Sequence, residues 1–144
     1  MQNQNFNYSF SSSKPAEEIF EKLLDVKTWW SGFYDETITG NIGKVNDEFS
    51  FDAGGGVHRT SQKIVEIVPN KKIVWLVTKA NLDFVDQKDE WMGTRFYFEL
   101  SEKGGKTAVT FTHSGLTPAF ECYESCSHGW MLYLKQLEEK LNEA

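Results

Sequence analysis

Apolar and polar positions alternate with a period of two at the start of the chain. Phe6, Tyr8 and Phe10 fall between polar neighbours in QNFNYSF, residues 4–10, which predicts a half-buried strand. The period then changes. Ser13 and Pro15 precede Glu17 and Glu18, and Ile19, Phe20, Leu23 and Leu24 form the stripe of an amphipathic helix that closes near Asp25. A second short helical turn is expected to carry Trp29 and Trp30.

Alternation returns at Phe49 and Phe51, and Gly54-Gly55-Gly56 predicts a turn into a strand from Val57 to Val68. PNKK, from Pro69, reads as a hairpin turn before a strand over Ile73 to Thr78, and the polar segment from Lys79 to Asp89 as a loop. Phe96, Phe98 and Leu100 then alternate with Arg95, Tyr97 and Glu99. After the turn EKGGKT, Val109, Phe111 and His113 share one face, with Thr110 and Thr112 on the other. From Pro118 onward, Tyr123, Cys126, Trp130, Tyr133, Leu134, Leu137 and Leu141 recur at spacings of three and four, predicting a terminal helix of about 25 residues. This order specifies an α+β fold in which a curved antiparallel sheet wraps the C-terminal helix and each buries one face on the other. Strong curvature leaves space between them.

At 144 residues the chain fits one domain, 1–144, able to bury about 70% of its unfolded surface. Its aromatic content of 15% is high, and large rings both fill cores and line cavities. A net charge of -6, with no block of Lys or Arg, argues against nucleic acid or an anionic membrane as partner. The N-terminal residues lack a basic flank followed by an apolar run, and no apolar stretch approaches the ~18 residues of a membrane span, so a cytoplasmic location is expected. In that compartment Cys122 and Cys126 are expected as free thiols.

The motifs carry little chemistry. Cys122 and Cys126 share a helix face and, with His128 or His113, are soft ligands, but their spacing is not that of a structural zinc site and His128 falls elsewhere round the helix. No metal or cofactor is expected. Cys126 facing His113 would allow a nucleophile and base, yet no strained elbow or oxyanion hole accompanies them. GGKT, Gly104 to Thr107, lacks the earlier glycine of a phosphate loop, since Leu100 stands there, and DFVDQKDE lacks the order of a calcium loop. More informative are the polar residues that alternation places among inward rings: Glu90, Thr94, His113 and, less directly, His58. Buried polar groups need partners, which are either one another or a ligand.

KIVEIVPNKKIVWLVT, DEWMGTRFYFELSEKGGKTAVTFTHSGL and ECYESCSHGWMLYLKQLEEKL together resemble the SRPBCC superfamily of START-like, Bet v-like helix-grip folds. Within it they resemble the small single-domain homologues of the activator of the heat-shock-protein-90 ATPase. The resemblance implies a seven-stranded antiparallel sheet gripping a long C-terminal helix, two short helices after the first strand, and a deep cavity. The family shares no agreed catalytic set, and the co-chaperone role belongs to longer proteins with a further domain. The expected function is binding of a small apolar or amphipathic molecule in a cavity walled by Trp30, Phe33, Trp75, Trp91, Phe96, Phe111, Cys126, Trp130 and Tyr133, with Glu90, Thr94 and His113 as polar groups. His113→Ala is then expected to alter ligand choice more than folding. Two alternatives stand beside it: a cyclase or dehydratase using His113 and Glu90 as acid and base, and an interaction module, either a homodimer or a chaperone partner. The Lys79 to Lys88 loop is a lid candidate by position.

Overall fold

The computed structural model describes residues 5–142. Their elements are β1 (Phe6–Ser12), α1 (Ala16–Leu24), a 3-10 turn (Val26–Thr28), β2 (Thr37–Gly40), β3 (Glu48–Ala53), β4 (His58–Val68), β5 (Lys72–Leu82), β6 (Arg95–Lys103), β7 (Lys106–Ser114) and α2 (Tyr123–Leu141). The strands form one antiparallel sheet in the order β1-β7-β6-β5-β4-β3-β2, a meander to which the first strand is added beside the last.

Register turns the alternating sequence into rows of rings. Trp75 lies opposite Phe96, Phe96 opposite His113 and His113 opposite Phe6; the next row runs Ile73, Phe98, Phe111 and Tyr8. All of these except Tyr8 are buried, and they form the floor on which α2 rests. The long pair β4 and β5 carries two bulges, near Ser61/Gln62 and Ile64/Glu66, and bulges bend a strand and increase its twist. Across the floor α2 buries Cys126, Trp130, Tyr133, Leu134, Leu137 and Leu141. Each such leucine contributes about 1.5–3 kcal/mol by leaving water.

The far end of α2 is fastened to β1. The Tyr8 hydroxyl donates to the Glu138 carboxylate, and that bond together with burial pushes the Tyr8 pKa up to about 12. The Ser12 hydroxyl donates to the Leu141 carbonyl at 2.9 Å, and the Asn142 amide to the Ser11 carbonyl at 3.2 Å. On the other flank α1 buries Ala16, Ile19, Phe20 and Leu23, while Leu24, the last residue of the expected stripe, is half-buried.

Several boundaries differ from the sequence expectation. The strand expected from residue 4 is described from Phe6; Gln4 lies outside the described residues. The second helix is only the three-residue turn before Trp29. β5 continues to Leu82, because Lys79 to Leu82 keep pairing with Ser61 to His58, so the expected loop begins four residues late. α2 starts at Tyr123, not Pro118, because Thr117 to Cys122 form successive turns. β2 was not read from the hydrophobic pattern, though the seven strands implied by the resemblance include it; its residues are mostly exposed and show no alternation. Cys122 and Cys126 are joined as a disulfide across the first turn of α2, in place of the free thiols expected, their Cα atoms 5.6 Å apart.

Candidate functional site

A pocket of about 330 Å³ opens between the first half of α2 and the β3–β4 end of the sheet. β3 supplies Phe51 and Ala53, the glycine turn Gly54 and Val57, and β4 its first residue, His58. From α2 come Ser125, Cys126, Gly129, Trp130 and Tyr133, and the loops add Trp30, Tyr34, Phe84 and Trp91. Gly54, Gly55 and Gly56 hold φ values of 64°, 70° and 98°, a left-handed run that only glycine adopts readily, and this lets the chain turn sharply at the pocket wall. Tyr34, Val57 and Phe84 remain over 40% exposed at the mouth.

Beneath the pocket lies a continuous set of indoles. Trp30 stacks on Trp130 at 5.2 Å and on Phe51 at 3.9 Å; Trp91 stacks on Trp130 at 5.7 Å. Trp29 stacks on Trp30 at 5.9 Å and meets Trp75 at 6.3 Å, so all five tryptophans are joined. Contacts of this kind add about 0.5–1.5 kcal/mol each beyond area burial.

His113 is the polar centre of this layer. The Trp130 indole donates to His113 Nδ1 at 3.1 Å, and an indole cannot accept, so Nδ1 carries no proton. The proton is therefore on Nε2, which donates to the Thr94 hydroxyl at 2.9 Å; that hydroxyl donates in turn to the Trp91 carbonyl at 2.6 Å. Burial, with the neighbouring His58 adding to it, pulls the His113 pKa down to about 3. His113 is neutral, with both nitrogens occupied.

His58 differs. Its ring meets Trp91 edge to face at 4.8 Å and Phe51 at 5.5 Å, and Nε2 is buried with no hydrogen-bond partner. Burial lowers its pKa to about 4, against a small opposing pull from Asp52. Opposite, the Tyr133 hydroxyl donates to Glu36 at 2.6 Å, and the same carboxylate accepts backbone N–H groups of Gly32, Phe33 and Tyr34 at 2.8, 3.1 and 3.0 Å. Burial alone would raise the Glu36 pKa, but these donors together bring it below the usual carboxylate value. Burial and the Glu36 hydrogen bond raise that of Tyr133.

Two loops frame the mouth by exchanging carboxylates. Glu90 accepts the N–H groups of Glu121 and Cys122 at 2.8 and 3.2 Å, and Glu121 accepts those of Asp86 and Gln87 at 3.0 and 3.2 Å. Each segment thereby fixes the other's backbone, and Glu90 serves donors that the start of α2 leaves free.

Of the residues expected to wall a cavity, Trp30, Trp91, Cys126, Trp130 and Tyr133 line this pocket. Trp75, Phe96 and Phe111 lie in the buried layer below, Phe111 against Trp130 at 4.5 Å. Phe33 packs on Tyr133 from outside at 5.4 Å and is 41% exposed. Thr94 and His113 are spent on the hydrogen-bonded hub and Glu90 on capping, so the acid–base pair of the alternative cyclase or dehydratase reading has both members engaged elsewhere. The pocket-lining Tyr34, Phe51, Phe84 and Gly129 were missed. Phe51 carried the signal of its alternation with Phe49, and Gly129 that of a glycine inside a helical pattern, where it is costly without a reason. Among the described residues no three His, Cys, Asp or Glu side chains gather as metal ligands, and no helix is long and apolar enough to cross a membrane.

Residues 13–142 match the family described as "Activator of Hsp90 ATPase homolog 1-like protein". No curated protein matches the chain. Among solved structures it is similar to the Aha1 dimer from Colwellia psychrerythraea, with 26% identity over 96% of both chains and a TM-score of 0.74. It also resembles in fold a protein of Chromobacterium violaceum, 18% identical over 99% of this chain and 100% of that one, TM-score 0.68. A third is CalU16 from Micromonospora echinospora, 17% identical over 94% of this chain and 74% of that one, TM-score 0.63. A match over residues 13–142 together with the shared helix-grip architecture places the chain in the Activator of Hsp90 ATPase homolog 1-like family of the SRPBCC superfamily.

Proposed function

We propose that this is a single-domain binding protein for a small apolar or aromatic molecule, held in the pocket between α2 and the β3–β4 end of the sheet. One observation carries the reading: a pocket of about 330 Å³ walled mainly by rings. That size falls at the lower end of ligand pockets, and apolar walls with a few polar groups are their usual composition. Burying ~300 Å² of apolar ligand surface contributes about 7 kcal/mol before association costs, which corresponds to micromolar or weaker binding. Native mass spectrometry of freshly purified protein, with titration of the neutral fluorophore N-phenyl-1-naphthylamine, tests it. A co-purifying organic mass, or saturable fluorescence gain at one equivalent, supports the reading. Absence of both sinks it.

A homodimer is a second reading, supported by the relative from Colwellia psychrerythraea whose solution structure is a dimer. Phe33, Tyr34, Val57 and Phe84 give this chain an exposed apolar rim that a second copy would cover. Sedimentation velocity at micromolar concentration decides it; a monomer throughout removes the reading.

A further inference from the structure

The pocket has a polarity that its apolar walls conceal. No Lys or Arg lines it. Two carboxylates stand behind the wall: Glu36, held ionised behind Tyr133, and Asp52, close enough for its charge to act on His58. Arg59 lies outside the lining, over Gly56 of the glycine turn, and its guanidinium is paired with Asp52, to which it donates at 3.0 Å. An anion entering would lose its water without gaining a cation, a heavy cost.

The same wall holds two polar atoms that nothing in the fold satisfies. His58 Nε2 and Trp91 Nε1 are both buried without partners, on rings 4.8 Å apart. Trp75 Nε1, in the buried layer below, also lacks a partner, but among the described residues His58 Nε2 and Trp91 Nε1 are the unpartnered ring nitrogens that belong to residues of the pocket wall, and these two together point to a group supplied from outside. The Trp91 indole can only donate, whereas a neutral imidazole donates at one nitrogen and accepts at the other. A hydroxyl, which does both, suits the pair. Trp30, Phe51, Trp91 and Trp130 present the rings between which a flat molecule would lie.

We propose that the pocket selects neutral, flat aromatic molecules bearing a hydroxyl group that hydrogen-bonds to His58, and rejects their carboxylate counterparts. The inference rests on the ligand-binding reading above and adds a charge rule and a specificity-determining residue to it. The neutral state of His58 at physiological pH agrees with this, since a charged imidazole would invite anions.

Isothermal titration calorimetry at pH 7.5 with naphthalene, 2-naphthol and 2-naphthoate tests it. The wild type should bind 2-naphthol roughly fivefold more tightly than naphthalene, the worth of one hydrogen bond, and 2-naphthoate at least about tenfold more weakly than 2-naphthol. His58→Phe should abolish the preference, bringing the ratio of 2-naphthol to naphthalene affinity to about one, while His58→Gln should keep part of it. Should His58→Phe not fold, the ring 15N resonance of His58 in the wild type reads the same contact: it should move with 2-naphthol and stay with naphthalene. Equal binding of 2-naphthoate and 2-naphthol overturns the charge rule. A hydroxyl preference that survives His58→Phe, or an unmoved His58 resonance, overturns the role of His58. Both of these results leave the pocket reading standing, whereas failure of all three probes to bind overturns that reading as well.

Discussion

Gly129 interrupts α2 where the helix faces the pocket, and it offers a clean separation of stability from binding. Its backbone is helical, and a Cβ added there meets no atom within 4 Å. Glycine in a helix interior costs about 1 kcal/mol relative to alanine, largely through the freedom it keeps in the unfolded chain. Gly129→Ala should therefore stabilise the protein by about 1 kcal/mol, raising Tm by roughly 2–4 °C for a chain of this size. Gly129→Phe should also fold, because its ring projects into open space, but it should fill part of the 330 Å³ and weaken N-phenyl-1-naphthylamine binding at least about tenfold. Thermal unfolding by circular dichroism and a fluorescence titration of both variants provide the readout. If Gly129→Ala destabilises, the space above the helix is not open, and if Gly129→Phe binds the probe as the wild type does, the pocket is not where the probe sits.

Three further outcomes follow from the hydrogen bonds. His113→Ala should cost about 3 kcal/mol in urea unfolding, because it leaves a cavity and strands the Trp130 indole and Thr94 hydroxyl, contrary to the sequence expectation that ligand choice would suffer more; a loss under 1 kcal/mol would refute the hub. Stability should fall as pH drops from about 6.5 toward 4: His58 and His113 have folded pKa values of about 4 and 3, so the unfolded chain binds protons first, at a cost of about 2 kcal/mol per histidine by pH 5. Equal urea midpoints at pH 7 and pH 5 would count against neutral buried imidazoles. Glu121→Ala should free the backbone of Asp86 and Gln87 and speed their amide exchange about tenfold while leaving β4 and β5 protected; unchanged exchange would mean that the carboxylate does not hold the loop.

The sequence revealed those parts of the fold whose periodicity is enforced by burial. Phe96, Phe98 and Leu100, or Trp130, Leu134, Leu137 and Leu141, repeat because one face must leave water, and their spacing survives in the chain. β2 was invisible because Thr37 to Gly40 are mostly exposed and carry no such constraint. The pocket was only half legible. Its helix wall could be read from α2, but Tyr34, Phe84 and Gly54 come from turns, where position depends on long-range pairing and not on neighbours in sequence. His113 and Glu90 were singled out as polar residues among rings, yet their partners, the Trp130 indole and the amides of Glu121 and Cys122, lie 17 and 31 to 32 residues away. Alternation gives the face of a residue and says nothing about which donor will reach it.

The joined indoles have an optical consequence. Indoles this close exchange excitation energy, so Trp29, Trp30, Trp75, Trp91 and Trp130 should behave as a coupled set in fluorescence and give exciton features in circular dichroism. Three of the five border the pocket. A quencher lodged there drains light from the two that it never touches, which makes the protein's own fluorescence a built-in gauge of occupancy.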